Sequence, residues 1–246
     1  MYLYKYRAIN ENTISILRDS EIYFSPPQKL NDPYDCRIGI KESLDSAYSK
    51  NAVIRDMVDN GGNLLKAWER MDRDIEECGI LSLSQDRANT IMWTHYADEH
   101  KGICLGFAFS HSWMCDPNQY MIGSSPVNYH GTNPFISIIQ NCYKENYENG
   151  KPPPWGEVWP QMMIGGLVTK TADWEIENEY RVIRKMPGLV PFSPDSLREV
   201  IFGLQISDDD KNTINGILAL PQYSHVKKLS VVRDVLNMRI SIPEPA

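Results

Sequence analysis

The sequence predicts an α+β fold, in which helices flank a mixed or antiparallel sheet within a single domain. Short apolar segments typical of strands are mixed irregularly with amphipathic helical segments, unlike the regular alternation of a doubly wound parallel sheet. No Gly/Ser-rich linker or low-complexity run divides the 246 residues, so we expect one domain over 1–246. A hydrophobic content of 42% is enough for one sizeable core.

Charge and cysteine content narrow the class of protein. A formal net charge of -7 disfavours a general binder of nucleic acid or membrane surfaces, although a nucleic acid target in a local basic groove stays open. No apolar run reaches the roughly 20 residues of a membrane helix, and the amino terminus lacks the apolar region of a signal peptide. The 5 cysteines form no Cys-x-x-Cys pair, as is typical of reduced thiols. We therefore expect a cytoplasmic protein without a membrane partner.

The first third of the chain alternates strands with helices. Alternating residue types predict a strand at 3–9, with Tyr4 and Tyr6 on one face and Lys5 and Arg7 on the other. The other elements predicted here are a helix at 10–18, a strand at 21–25, a polar loop at 30–36, a helical region at 43–78 interrupted at 60–62, and a strand at 79–84.

The densest polar chemistry lies around a predicted helix and strand in the middle of the chain. Apolar side chains at helical spacing predict a short helix from 91, which Lys101-Gly102 stops. A buried strand follows at 103–107. The two small glycines before and within it leave room for another element or a ligand to approach closely. His95 and His100 would lie beside the turn between helix and strand.

The second half continues the irregular mixture of elements. The segments predicted are a strand at 126–129, a helix at 135–147, a stiff loop at 151–156, a helical or extended segment at 162–170, a strand at 175–184, a strand at 200–204, a helix at 208–218, and closing strands at 227–232 and 236–242.

Several short motifs are specific when taken together. They lie at 3–7, 22–26, 31–35, 82–84, 92–97, 100–104, Lys170 and 174–181. Together they resemble a bacterial family, the domain-of-unknown-function family numbered 2971, over nearly the whole chain; Tyr34 departs from the phenylalanine more common there. That family is often met in mobile and defence contexts, so the resemblance implies a toxin or defence effector with a protein partner from the same locus.

A second resemblance concerns one late strand and two early ones. Residues 178–183 are similar to the glutamate-bearing strand of ADP-ribosyltransferases of the His-Tyr-Glu class, and 22–25 to its tyrosine-bearing strand. The resemblance implies an ADP-ribosyltransferase-like fold with NAD as co-substrate, and NAD-dependent ADP-ribosyl transfer or NAD cleavage. It implies Glu179 as the catalytic carboxylate, Tyr23 as the ring stacked on nicotinamide, and Lys5 at the ribose position, where the class has histidine.

Further polar and aromatic residues are candidates for binding the substrate. Glu177 and Glu179 alternate with Glu175 on the predicted strand, so they share one face with Arg181, which can compensate their repulsion. The alternative for this strand is a solvated edge with salt bridges, and the alternative for the aromatic side chains is a place in the core. The substrate-binding candidates are Tyr6, Arg7, Ser25, Asn31, Asp32, Trp93, His95, Tyr96, His100, Trp174, Glu177 and Arg181.

Two other function classes stay open. One is a noncatalytic nucleotide- or protein-binding module of a defence or toxin–antitoxin assembly. The other is a nuclease or other hydrolase that uses Asp32, Asp35, Glu177 and His95. We predict no metal, because the histidine at 95 is five residues from the next one and the two would lie about 140° apart on a helix.

Overall fold

A computed structural model describes residues 1–36, 39–50, 52, 55–56, 59, 64–129, 155–237 and 239–244. The strands are β1 (Leu3–Arg7), β2 (Glu21–Phe24), β3 (Gly79–Ser84), β4 (Ile103–Phe107), β5 (Met121–Pro126), β6 (Asn128–Tyr129), β7 (Thr169–Lys170), β8 (Glu179–Arg184), β9 (Gly188–Pro191), β10 (Leu197–Phe202), β11 (Lys227–Ser230), β12 (Val232–Asp234) and β13 (Arg239–Ser241). The α-helices are α1 (Glu11–Asp19), α2 (Ile40–Lys50), α3 (Leu64–Glu76), α4 (Thr90–Tyr96), α5 (His111–Met114), α6 (Trp155–Leu167) and α7 (Asp208–Leu218).

A seven-stranded sheet organises the described part of the chain. Its strand order is β11-β10-β4-β1-β3-β8-β5, and its pairs are antiparallel except for the parallel pair of β10 and β11. Three two-stranded sheets join β2 to β9, β6 to β7 and β12 to β13. Helices combined with a mixed, mostly antiparallel sheet confirm the predicted α+β class.

Apolar cores lie on both faces of this sheet. One core contains Leu3 with Leu17 of α1 and Ile214 of α7, and the other contains Tyr6 with Trp93 of α4. Successive side chains of a strand point to opposite faces, so this division confirms the two faces predicted for β1. Lys5 and Arg7 therefore leave β1 on the same face as Leu3.

The turn after α4 packs closely against the end of β1. Asn89 caps the helix, because its side chain accepts hydrogen bonds from backbone nitrogens of the first turn. The helix ends at Tyr96, earlier than the stop predicted at Lys101-Gly102. Residues 98–100 have φ between 46° and 70°, the left-handed region. A Cβ on Gly102 would lie 2.2 Å from the carbonyl oxygen of Arg7, which confirms the predicted close approach.

The prediction of a strand at 175–184 was wrong for its first residues. Ala172–Glu177 form a 3-10 helix, Asn178 takes a left-handed φ of 45°, and β8 begins only at Glu179. Glu175 and Glu177 therefore do not share a strand face with Glu179. An alternating charge pattern suits a strand, but Asn is among the few residues that tolerate the left-handed conformation that ends a helical turn.

The alternative interpretation of this segment, as a solvent-exposed edge strand, does not describe β8 either. It lies between β3 and β5 and is largely buried, because long-range pairing sets strand order and local sequence does not. The predictions missed β9 and most of β5, and β10 begins earlier than expected. A helix, α6, occupies most of the segment predicted as helical or extended, whereas the helix predicted at 135–147 lies outside the described residues.

The sheet opens between β1 and β3. These strands pair at one position, Tyr4 with Ser84, while Ile80 at the other end of β3 exchanges both backbone hydrogen bonds with Ser25 instead, each at 2.8 Å. Between these two points, the carbonyl oxygen of Ser82 accepts a hydrogen bond from Lys5 Nζ at 2.7 Å. A side chain thus occupies part of the space where a neighbouring backbone would lie.

Candidate functional site

Two adjoining cavities lie where β1 and β3 separate. The inner cavity, of about 230 Å³, is lined by residues 4–7 of β1, by 80 and 82–84 of β3, and by polar groups from later in the chain. The outer cavity, of about 460 Å³, lies on the side of α1 and β2. Both cavities are lined by Lys5, Arg7, Ser25 and Lys29, so they adjoin at these residues, and we call the two together the cleft.

A cluster of five buried charged groups, four of which line the inner cavity, is what we call the acidic wall. Its members are Asp35, Lys170, Glu177, Glu179 and Arg181, and all five are at most 5% exposed. Counted as ionised, three carboxylates and two cations leave one net negative charge. These groups come from the loop after β2, from β7, from the 3-10 helix and from β8, so the tertiary fold assembles them.

Arg181 ties the acidic wall together from behind the cavity. Its Nε donates to Glu179 Oε1 at 2.8 Å and its Nη2 to Glu179 Oε2 at 3.0 Å, the bidentate geometry that suits a guanidinium and a carboxylate. Nη2 also donates to Asp35 Oδ2 at 2.6 Å. Burial alone would raise the pKa of Glu179, but Arg181 and Lys170 outweigh it and hold that pKa at about 2, so the carboxylate is ionised at neutral pH.

Lys170 bridges the three carboxylates. Its Nζ lies 2.6 Å from Glu177 Oε2, 3.5 Å from Glu179 Oε2 and 3.7 Å from Asp35 Oδ2. Burial acts to lower the pKa of Lys170, but the surrounding carboxylates outweigh it and raise that pKa. Its ammonium group also lies 4.5 Å from the centroid of the Trp174 ring, in cation–π geometry.

A chain of hydrogen bonds connects the acidic wall to α4. Tyr96 donates its hydroxyl proton to Glu177 Oε1 and accepts a hydrogen bond from Asn31 Nδ2. Burial, followed by the bond to Glu177, raises the pKa of Tyr96 well above its usual value, so this hydroxyl stays protonated. The chain fixes Glu177 at the cavity through both of its oxygens.

A second part of the lining carries cations without carboxylate partners among the described residues, and we call it the basic wall. Its members are Lys5, Arg7 and Lys29, and no described carboxylate lies within ion-pair distance of any of them. Burial, then repulsion from Arg7, lowers the pKa of Lys5 to about 8, against weaker opposition from Glu179 and Glu177. Burial also lowers the pKa of Arg7. Groups of both charges therefore line the inner cavity.

The structure brings together some of the predicted site residues and separates others. Of the three catalytic candidates, Glu179 lines the inner cavity, Tyr23 lines the outer cavity, and Lys5 lines both. The predicted residues that line the inner cavity are Lys5, Tyr6, Arg7, Ser25, Asn31, Tyr96, Glu177 and Glu179. Those that line neither cavity are Asp32, Trp93, His95, His100, Trp174 and Arg181.

The side chains outside the cavities have other surroundings. Trp93 is fully buried and donates its Nε1 proton to the carbonyl of Arg87 at 3.0 Å. His100 stacks on the Trp93 ring, with centroids 6.3 Å apart, and burial lowers its pKa. Asp32 is buried and accepts from the backbone nitrogen of Tyr34 at 2.9 Å, while His95 is exposed on α4.

Sequence reasoning did not single out Lys29 or assign a role to Lys170. Lys170 stands in the family pattern, which was the one signal available for it. Lys29 sits in a 3-10 helix (Pro27–Lys29) directly after β2, and only the tertiary fold shows that it reaches the cleft. Of the residues considered for a hydrolase, Asp35 and Glu177 line the inner cavity, whereas Asp32 and His95 do not.

Comparison with known proteins bears on the acidic wall. Residues 92–182 match the family model described as Protein of unknown function (DUF2971). This match confirms the family predicted from the sequence over that range. Four members of the acidic wall lie inside the matched range, whereas the basic wall lies outside it. No curated protein and no solved structure matches the chain.

The described residues were expected to lack a metal site and a membrane span. They contain no group of three or more His, Cys, Asp or Glu side chains that could hold a metal ion. None of their helices combines the length and apolar character needed to cross a membrane. The resemblance to ADP-ribosyltransferases stays a prediction.

Proposed function

We propose that this protein binds NAD, or a closely related nucleotide, across the inner and outer cavities. One observation carries the proposal: the lining of the cleft combines a net negative cluster with cations that have no carboxylate within ion-pair distance among the described residues. A ligand that suits this arrangement has a positive or hydroxyl-rich end joined to an anionic end.

NAD has this distribution of charge. Its nicotinamide ring is cationic and is attached to a ribose with hydroxyl donors, which suits the carboxylates of Glu177 and Glu179. Its pyrophosphate is anionic and suits Lys5 and Arg7. The outer cavity, at about 460 Å³, falls within the usual range for small-molecule sites of about 300–1,000 Å³.

Cleavage of the nicotinamide–ribose bond, with transfer of ADP-ribose or hydrolysis, is the second candidate. It is favoured by the ionised carboxylate of Glu179 at the inner cavity, since such a group stabilises the positive charge that develops on the ribose as nicotinamide leaves. The guanidinium of Arg181 neutralises part of that carboxylate's charge. Binding is therefore better supported than cleavage. Tyr23 and Glu179 line different cavities, so an extended NAD would have to pass Lys5 to reach both.

Isothermal titration calorimetry with NAD, NADH and ADP-ribose tests the binding proposal. We expect NAD to bind most tightly, because NADH has a neutral ring and ADP-ribose has none. The variant Lys5→Met should weaken NAD at least tenfold. Lys101→Met removes an exposed cation that pairs with Glu99 and serves as the control. Absence of binding by all three compounds, in protein that is folded by circular dichroism, would overturn the proposal.

Nicotinamide release separates binding from chemistry. Wild type and Glu179→Gln are incubated with NAD, and both are expressed in bacteria while NAD content and growth are followed. Release of nicotinamide by wild type alone would establish cleavage of NAD. It would also favour the role of a cytoplasmic toxin or defence effector. Binding without release would leave a nucleotide-binding module that acts through a protein partner, and strand cleavage of nucleic acid dependent on a divalent metal would favour a nuclease instead.

A further inference from the structure

We propose that the outer cavity is a phosphate-binding subsite in which Arg7 holds the phosphate oxygens while Lys5 and Lys29 flank them. The inference rests on the proposed function for the nucleotide to which the phosphate belongs. The charge of the cavity and the orientation of Arg7 carry it independently of which nucleotide that is.

The lining of the outer cavity is cationic and rich in polar groups. Three cations contribute to it, and no carboxylate does so in the part of the chain that the structure describes. The other polar groups are the hydroxyls of Ser15, Tyr23 and Ser25 and the amide of Asn12. Hydroxyl and amide donors beside cations suit the several oxygens of a phosphate, and the combined positive charge suits its multiple negative charge.

Arg7 is held in a fixed orientation by a buried threonine. Its Nε donates to Thr13 Oγ1 at 3.2 Å, and that hydroxyl donates in turn to the carbonyl of Ala8 at 2.7 Å. Thr13 is fully buried, so the anchor is rigid. The bond uses the inner nitrogen of the guanidinium, and no other described residue accepts a hydrogen bond from its two terminal nitrogens. A guanidinium held this way presents a fork of donors that matches two phosphate oxygens.

Lys5 adds a cation whose charge responds to the ligand. Its Nζ is held at the opening in the sheet by the carbonyl of Ser82, with a pKa of about 8. The charged groups that face it are Arg7 on its own strand, Lys29 after β2, and the acidic wall from the loop after β2, β7, the 3-10 helix and β8. A bound phosphate adds negative charge beside this ammonium group and raises its pKa, so binding near pH 8 takes up protons.

The size of the outer cavity indicates a phosphate that is part of a larger molecule. A volume of about 460 Å³ exceeds what one phosphate fills, and the cavity adjoins the inner one at Lys5 and Arg7. A phosphate seated on Arg7 would therefore leave room in the outer cavity for the rest of its molecule, next to the cavity that Glu177 and Glu179 line.

Calorimetry with inorganic pyrophosphate, ADP and adenosine tests the subsite directly. We expect pyrophosphate and ADP to bind wild type and adenosine to bind at least tenfold more weakly than ADP. Arg7→Met should lower pyrophosphate affinity at least tenfold, and Arg7→Lys, which keeps the charge but loses the fork, should fall between. Arg18→Met is the matched control, because Arg18 is an exposed, ion-paired arginine on α1. Titrations at pH 8 in buffers of different ionisation enthalpy should show proton uptake, and Lys5→Met should abolish it.

The outcomes separate this subsite from the proposed function. Pyrophosphate that binds wild type and Arg7→Met equally would overturn the subsite, even if NAD binds. Pyrophosphate binding that depends on Arg7, together with no binding of NAD, would keep the subsite and overturn NAD as the ligand. If Arg7→Met does not fold, Lys29→Met provides the same test, since Lys29 is on a different element and unchanged affinity there would also count against the subsite.

Discussion

The two walls of the cleft differ in how their charges are compensated. On the acidic wall, Arg181 and Lys170 lie within 4 Å of carboxylates and every group has a partner. On the basic wall, Lys5 and Arg7 have a carbonyl and a hydroxyl as their partners. Paired buried charges hold elements together, whereas unpaired ones lower stability until a ligand compensates them. Under the proposed function, the acidic wall holds the site together and the basic wall binds the ligand.

The largest expected effect comes from breaking the acidic wall. Arg181→Met leaves Glu179 and Asp35 with Lys170 as their only cation, and removal of one partner of a buried pair typically costs about 3–5 kcal/mol. Urea unfolding measures the loss. Arg239→Met breaks an exposed pair with Asp234 and should cost less than about 1 kcal/mol. A similarly small loss for Arg181→Met would show that its pairs do not hold the fold.

A fall in pH should weaken the ion pairs of the acidic wall more gradually than Arg181→Met does. The pKa of Glu179 is about 2 in the folded protein against its usual 4.5, so its stabilisation is complete above pH 4.5 and is lost as pH falls toward 2. The loss amounts to about 3 kcal/mol. The difference in unfolding free energy between wild type and Glu179→Gln should therefore shrink from pH 5 to pH 3. A constant difference would contradict the low pKa.

Removal of a charge from the basic wall should raise, rather than lower, the stability of the ligand-free protein. Lys5→Met removes an ammonium group without a carboxylate partner and should stabilise the ligand-free protein by about 1–3 kcal/mol at pH 7, while it weakens NAD binding at least tenfold. Because the folded pKa of about 8 lies below the usual 10.5, the unfolded chain binds more protons between these values. Wild-type stability should thus rise with pH across that window relative to Lys5→Met. A destabilised Lys5→Met at pH 7 would show that Lys5 is a structural group.

The smallest effect concerns the residue that positions the acidic wall. Asn178 has a φ of 45° and turns the chain between Glu177 and Glu179, so that one ends a 3-10 helix and the other begins β8. Asn178→Ala should cost about 1 kcal/mol, since alanine tolerates this conformation poorly, while Asn178→Gly should be within about 0.5 kcal/mol of wild type. Thermal unfolding of both variants measures this, and an alanine variant as stable as the glycine variant would contradict it.

Much of the fold could be predicted because its elements carry local signals. The alternation in β1, the cap before α1 and the apolar run of β4 each depend on neighbouring residues. The alternation of Glu175, Glu177 and Glu179 led to the wrong prediction of a strand. A period of two suits a strand, but Asn178 can end a helical turn within the same pattern. Strand order and the opening beside Lys5 depend on residues far apart in sequence, and no local pattern encodes them.

The candidate site could be predicted only in part for the same reason. Glu179 and Arg181 lie two residues apart, so their pairing was visible in the sequence. Asp35 meets Arg181 across 146 residues, and Lys170 joins them from β7, which only the folded chain shows. Tyr23 and Glu179 line different cavities because β2 pairs with β9 rather than within the seven-stranded sheet.

The single pair that joins β1 to β3 has a consequence for cooperativity. Four strands lie on one side of this junction and three on the other, and the backbone ladder between the halves has one rung, at Tyr4 and Ser84. Strand ladders couple neighbouring segments, so such a seam divides a sheet into units that open separately. A ligand that fills the gap would take the place of the missing rungs. Occupancy of the cleft would then make the two half-sheets fluctuate as one body.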